Sequence, residues 1–297
     1  MFNNIQNLQS YRAFTLEDNS TSPFAVYENE TISHEKKYPI PITPTRIDHE
    51  ILTILSNAHF CTTALILAEL SKQRIPFEES NVRNRIHQMC KAEFLMGYHF
   101  YTEDGGRSSH MALRLGWRGV GYLRAQGIQT KLGTYLANVA EDPVVTKKIL
   151  SAVQYIIRSD IPLEDVQFCQ AVFAPAKDAS KSKKIFRPQG VVQSADKTVF
   201  LEAIRQTQNW QTQLAEKLNR IEAVCRARTT NITVRNPTLV LIAESCTHMR
   251  MILSMLEKRG CSIPVYFTAD TLVYRNPDAC LYQLPKSKRF WTSLFAS

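Results

Sequence analysis

Amide and basic side chains share one face of segment 80–92 when it is drawn as a helix of about 100° per residue. The polar face and its two shoulders carry these residues: Asn81, Asn84, His87, Gln88, Lys91, Arg83 and Arg85. The opposite face is apolar and includes Val82, Ile86, Met89 and Cys90. Asparagine and glutamine amides pair with an adenine edge, and arginine reaches guanine or a phosphate. We therefore predict that the polar face contacts DNA.

The segments around this helix predict the elements that position it. Apolar residues at helical spacing precede it twice, at 47–55 and 62–71. Two strand-like runs follow it, at 95–101 and 111–115, and a turn rich in glycine and serine separates them at 102–109. Three helices followed by a hairpin is the order of a winged helix-turn-helix.

We predict a winged-helix DNA-binding domain at residues 46–127, preceded by an extended, proline-rich arm at 1–45. Arg107 and Ser108 lie at the predicted hairpin tip, where they are expected to contact the adjacent DNA backbone or minor groove. The alternative interpretation is a winged helix that serves only protein contacts or dimerisation.

The remaining segment, 128–297, has a different order of predicted elements. A helix at 143–160 precedes strand-like runs at 166–174, 185–192 and 198–204. A long helix and a continuous apolar strand then follow, at 209–227 and 238–243, respectively. This αβββαβ order is that of the restriction-endonuclease-like, PD-(D/E)xK fold. We therefore predict a mixed α+β or α/β chain with a nuclease-like second domain.

The metal-binding residues of such a nuclease are largely replaced in this sequence. The fold uses two carboxylates to hold Mg²⁺ and a lysine to position the attacking water or the phosphate. Gln189 stands where the first carboxylate is expected, Glu202 supplies the second, and Ile204 occupies the lysine position. Glu202 is thus a doubtful catalytic residue, and no cofactor is expected unless the chain cuts DNA with Mg²⁺. Alternatively, Glu202 is a strand-end carboxylate paired with a nearby cation.

Two short motifs give the chain a resemblance to a known group. They are Arg187-Pro188-Gln189-Gly190 and Phe200-Leu201-Glu202-Ala203-Ile204-Arg205-Gln206-Thr207. The combination resembles the plasmid replication-relaxation family and related mobilization proteins of integrative elements. Pro188, Glu202, Arg205 and Thr207 match that family, whereas Gln189 replaces its aspartate. The resemblance implies binding of double-stranded DNA at a transfer or replication origin, with other mobilization or transfer proteins as further partners.

The excess of basic over acidic residues lies in the second predicted domain. The 297-residue chain has 36 basic and 27 acidic residues, and segment 128–297 has 23 and 14 of them. Lys181, Lys183 and Lys184 lie in a basic loop that is expected to contact phosphates. The basic and aromatic run at 284–291 is interpreted as a solvated tail that docks on its own domain, with nucleic-acid contact as the alternative.

Cysteine usage and hydropathy predict the compartment. The seven cysteines are odd in number and contain no C-x-x-C pair, which favours reduced thiols over disulfides or a zinc site. Neither a signal peptide nor an apolar stretch of about 20 residues is visible, so we expect a cytoplasmic protein without membrane contact.

Our leading hypothesis is a DNA-binding protein of a mobile genetic element whose nuclease-like domain does not cut. The first alternative is a metal-dependent DNA nickase, or relaxase, centred on Glu202. The second is a transcriptional regulator whose other domain dimerises or senses a signal. The sequence does not indicate an oligomeric state.

Overall fold

The computed structural model shows a mixed α+β protein. It describes residues 22–27, 29–34, 40–102, 107–130, 142–159, 161–173, 184–227, 230–275, 281–283 and 290–292. Within these ranges, only the backbone is described for 107–110, 184–185, 274–275, 281–283 and 290–292. The chain divides into two compact units, Val26–Phe168 and a second that joins Met1–Ala25 to Cys169–Ser297.

The first unit contains helices and a small antiparallel sheet. Its described elements are β1 (Thr31–His34), α1 (Arg46–Ala58), α2 (Thr63–Lys72), α3 (Glu79–Lys91), β2 (Leu95–Tyr101), β3 (Arg107–Leu115), α4 (Trp117–Ala125), α5 (Pro143–Arg158), a 3₁₀ turn (Leu163–Asp165) and β4 (Val166–Phe168). The sheet order is β1-β2-β3, and both pairings are antiparallel. Cys61, between α1 and α2, forms an isolated antiparallel bridge to Leu113 of β3.

Local capping fixes the ends of these helices. The Asp48 carboxylate accepts a hydrogen bond from the Thr45 backbone N–H at 2.7 Å, which holds the first turn of α1. Thr62 caps α2 by accepting from the Leu65 N–H at 3.3 Å. Asp142 caps α5, and Pro143 occupies its first turn, where no backbone donor is needed.

Glycine allows α4 to approach the turn between α3 and β2. A Cβ atom at Gly116 would lie 2.2 Å from the carbonyl oxygen of Glu93. A Cβ at Gly119 would lie 2.3 Å from the carbonyl oxygen of Phe94. Both separations are far below van der Waals contact, so any side chain at these positions would push α4 away from the turn.

The segment before α1 is partly regular rather than only an extended arm. Residues 31–34 form the edge strand β1 beside β2. Glu30 accepts hydrogen bonds from the Lys147 ammonium at 2.6 Å, and both side chains are buried. This ion pair ties the segment to α5 within the same unit.

The second unit is built around a mixed sheet. Its described elements are β5 (Val172–Phe173), β6 (Lys184–Phe186), β7 (Gly190–Gln193), β8 (Thr198–Ala203), α6 (Trp210–Arg226), β9 (Thr238–Ala243), α7 (Cys246–Arg259), β10 (Val265–Ala269), α8 (Asp270–Arg275), β11 (Leu281–Gln283) and β12 (Phe290–Thr292). Six strands are ordered β12-β11-β10-β9-β8-β7. β8, β9 and β10 are parallel, and the outer pairings are antiparallel.

A buried apolar layer joins this sheet to α6 and α7. Alternate residues of β9 and β10 enter it, such as Leu239, Leu241 and Ala243 of β9. Ser245 caps α7 by accepting from the His248 N–H at 3.1 Å, and Gly260 ends it with φ of 74°. Among the helices that the structure describes, none is long and apolar enough to cross a membrane.

Three boundaries differ from the sequence predictions. The predicted strand 166–174 is divided at Cys169, whose φ of 53° is incompatible with an extended strand. The predicted strand 185–192 is divided into β6 and β7 around Pro188, which lacks a backbone donor. The units divide after Phe168 rather than after residue 127, so that α5, predicted as the first helix of the nuclease-like core, groups with the first unit.

Candidate functional site

The third helix exposes the polar face that its periodicity predicts. Val82, Ile86 and Met89 are at most 2% exposed and point into the core of the first unit. The opposite side chains are exposed, namely Asn81, Arg83, Asn84, His87 and Gln88. The helix begins at Glu79, one residue before the predicted start, and Lys91 at its end is half-buried. This surface therefore combines amide, imidazole and guanidinium groups on a single rigid element.

Arg85 does not have the free position that was predicted for it. Its Nε donates to Asp48 Oδ1 at 2.9 Å, and Nη2 donates to Asp48 Oδ2 and to the Thr43 carbonyl oxygen. The hydrogen bond to Asp48 raises the pKa of Arg85 above its ordinary value. Because Asp48 is fully buried, Arg85 is held as its counterion and joins α3 to α1. Arg85 therefore stabilises the packing of α3 against α1.

Two other side chains of this surface, Arg83 and Gln88, already have hydrogen-bond partners on α3. Arg83 donates to Glu79 Oε1 at 2.6 Å in an exposed pair one helical turn apart. The Gln88 side-chain amide oxygen, Oε1, accepts from Arg85 Nη1 at 2.6 Å. Within the part of the chain that the structure describes, the side chains of Asn84 and His87 make no hydrogen bond, so both are available to a ligand.

Several predicted contacts fall on side chains that the structure does not describe. Arg107 and Ser108 belong to the backbone of β3, and Lys184 belongs to that of β6. Lys181, Lys183 and most of the run 284–291 lie outside the described residues. The contribution of all these groups remains a prediction.

The two nuclease-like positions are brought side by side. The register of β7 and β8 places Gln189 next to Glu202, and the Gln189 amide oxygen accepts from the Ala203 N–H at 3.1 Å. Glu202 is fully buried, and its Oε2 accepts from the Lys217 ammonium at 2.5 Å. The strand-end ion pair that was considered for Glu202 is therefore present, with Lys217 of α6 as the cation.

The described side chains around these positions do not form a metal site. Among the described residues, no group of three or more His, Cys, Asp or Glu side chains is arranged to hold a metal ion. The six described cysteines are free thiols, and burial raises the pKa of Cys169 to about 12. Burial also raises the pKa of Cys61, Cys225 and Cys261, so these three thiols and Cys169 are protonated at neutral pH and are poor metal ligands or nucleophiles in this state.

A second polar cluster lies at the carboxyl ends of the parallel strands. Arg205 follows β8 and forms an ion pair with Asp270, which follows β10, at 2.9 Å between Nη1 and Oδ2. Both side chains are fully buried. Ser22 Oγ donates to the same Asp270 oxygen at 2.5 Å. His248, in the first turn of α7, is also buried, and its ring contacts the Trp210 ring edge-on at 4.7 Å between centroids.

The environment of His248 keeps its ring neutral. Burial lowers the pKa of His248 to about 4, and the positive charge of Arg205 lowers it further in the same direction. The Glu244 backbone N–H lies 3.4 Å from Nδ1, which therefore acts as the acceptor and leaves the hydrogen on Nε2.

Sequence reasoning missed this strand-end cluster, although a signal for it existed. A polar residue directly follows the apolar run of each parallel strand, namely Arg205, Glu244 and Asp270. Ligands of open α/β sheets bind outside the carboxyl ends of such strands.

Comparisons with protein-family models, with curated proteins and with solved structures found no match to this chain.

Proposed function

We propose that this chain is a double-stranded-DNA-binding protein of a mobile genetic element, acting in the cytoplasm at a transfer or replication origin. The single observation that carries the proposal is the exposed face of α3, where Asn84 and His87 are available and apolar residues anchor the opposite side. Such a helix has the size and the hydrogen-bonding groups that fit the DNA major groove.

The arrangement of the first unit supports a winged-helix interpretation. The helices α1, α2 and α3 precede the β2–β3 hairpin. Cys61, in the connection between α1 and α2, pairs with Leu113 of β3 and so extends the same sheet. In a winged helix, the third helix enters the groove and the hairpin lies beside it. On this proposal, the α3 face recognises bases and the hairpin contacts the backbone.

The second unit is proposed to be nuclease-like without cutting activity. The residues at the nuclease-like positions make a poor magnesium site. The Gln189 amide oxygen already accepts a hydrogen bond from the Ala203 N–H, and the buried Glu202 carboxylate is neutralised by Lys217. The assignment to a mobile element rests on the sequence resemblance at Pro188, Glu202 and Arg205. Other mobilization or transfer proteins are the proposed partners.

Selection of a preferred duplex from a random pool, followed by fluorescence anisotropy against unselected DNA, tests this function. We expect the Asn84→Ala/His87→Ala variant to lose about tenfold or more of its preference for the selected site, since good base contacts contribute about 1–3 kcal/mol each. Gln126→Ala, which removes an exposed amide beyond the end of α4, is the matched control and should keep the preference. Undiminished selectivity in the double variant would reject the α3 surface as the reader of sequence.

A further inference from the structure

We propose that Arg205 and His248 form a binding site for a phosphoryl group at the carboxyl ends of β8, β9 and β10. The site is distinct from the α3 face and from the Gln189–Glu202 pair, and it does not depend on the DNA-binding function proposed above. Three hydrogen-bond donors, each on a buried side chain, define it.

Arg205 supplies two of these donors. Its side chain has no exposed surface, and its Nη1 is used by Asp270 and by the Ile204 carbonyl oxygen. Its Nε and Nη2 are buried without a hydrogen-bond partner among the described residues. These two nitrogens form the side-on fork of a guanidinium, which matches two oxygens of one oxyanion. Leaving such donors buried and unpaired destabilises the folded chain, so a ligand that accepts hydrogen bonds from them is bound favourably.

His248 supplies the third donor from a different element. The ring is neutral with its hydrogen on Nε2, and this nitrogen is buried without a partner in the described ranges. The ring is held in place by its edge-on contact with Trp210. A carboxylate has two oxygens for the Arg205 fork, whereas a phosphoryl group has a third for the imidazole. The donor count therefore favours phosphate.

The surroundings explain why the site is ordered and why its affinity is moderate. Asp270 already offsets the charge of Arg205 and is itself held by Ser22, so the guanidinium is oriented before any ligand binds. Because Asp270 also repels an anion, we expect a Kd for inorganic phosphate of about 0.1–1 mM. Since Arg205 is fully buried, phosphate enters only when the residues packed around it move.

Calorimetric titration of the full chain with inorganic phosphate, in a phosphate-free buffer, tests the proposal. We expect saturable binding in the wild type. Arg205→Lys keeps the charge but not the fork and should bind at least about tenfold more weakly. His248→Leu should also lose about tenfold. His248→Gln retains a side-chain amide donor and should recover part of the affinity that His248→Leu loses.

The site is rejected if the wild type shows no saturable heat up to about 10 mM phosphate, or if Arg205→Lys and His248→Leu bind like the wild type. Circular dichroism and thermal unfolding establish that each variant is folded, and neither measurement requires DNA binding, so a failure of one proposal is separate from a failure of the other. A 5′-phosphorylated oligonucleotide and its 5′-hydroxyl counterpart identify the source. Preference for the phosphorylated end supports a DNA terminus at the site, and equal binding alongside positive phosphate titration supports a free phosphate or nucleotide.

Discussion

Arg83 and Arg85 are two positions apart on α3, yet their environments differ. Arg83 is 55% exposed and pairs with an exposed Glu79, whereas Arg85 is 17% exposed and pairs with Asp48, which has no exposed surface. An exposed ion pair contributes little to stability, whereas a buried carboxylate deprived of its partner is costly. The same side-chain type therefore serves a surface role in one case and a structural role in the other.

We expect Arg85→Ala to lower the free energy of unfolding by about 2 kcal/mol, because it removes charged hydrogen bonds from the buried Asp48. Arg83→Ala is the matched control and should change stability by about 1 kcal/mol or less. Urea unfolding of both variants measures the difference. Equal stabilities would show that Asp48 is adequately satisfied by Thr45 alone.

The buried His248 makes stability depend on pH. The imidazole takes up a proton near pH 4 in the folded chain and near its ordinary pKa of 6.5 in the unfolded chain. Between these values the unfolded state binds more protons, so stability is full above pH 6.5 and falls as the pH drops toward 4. The loss from this residue amounts to about 3 kcal/mol. His248→Gln should remove that part of the slope in urea unfolding at pH 7 and pH 4.5, and an unchanged slope would contradict the assignment.

At the scale of elements, close backbone approach positions α4 against the turn that follows α3. The contact depends on the absence of a Cβ atom at Gly119, which faces the Phe94 carbonyl oxygen. Gly121, two residues later, has no atom within 4 Å of the position where its Cβ would lie. Alanine at Gly119 therefore tests the cost of a steric clash, whereas alanine at Gly121 tests only the lower helix propensity of glycine.

Gly119→Ala should destabilise the first unit by about 1–3 kcal/mol, because the new methyl group collides with backbone. Gly121→Ala should stabilise it by about 0.5–1 kcal/mol, since alanine restricts the unfolded chain and suits a helix. Thermal unfolding of the two variants compares them directly. A stabilising effect at both positions would mean that α4 does not rest against this turn.

At the scale of the whole molecule, the two units present different chemistry. The first unit exposes a polar helix face on an apolar core, and the second buries Glu202 and the Arg205–Asp270 ion pair in and beside its parallel strands. Exposed amides suit recognition of a partner, whereas a carboxylate already neutralised by lysine suits metal binding poorly. The proposed division of labour is therefore DNA recognition in the first unit, without cleavage in the second.

Supercoiled plasmid incubated with the full chain and Mg²⁺ or Mn²⁺ should remain uncut, because Glu202 is buried and paired with Lys217. Agarose electrophoresis measures the nicked fraction. Nicking that disappears in Glu202→Ala would instead favour the alternative of a metal-dependent nickase. Lys217→Met serves as a control that removes the cation and leaves the carboxylate.

Local patterns in the sequence determined the elements, whereas contacts between distant positions were decided by the tertiary structure. The apolar period of α3 predicted its buried face, because periodicity acts within one or two turns of a helix. Asp48 and Arg85 are 37 residues apart, and Arg205 and Asp270 lie after different strands. Sequence spacing does not specify such partners, because the packing of helices and the order of strands bring them together. The chain thus encoded a polar helix face by itself, but only the fold removed Arg85 from it and assembled the cluster around Arg205.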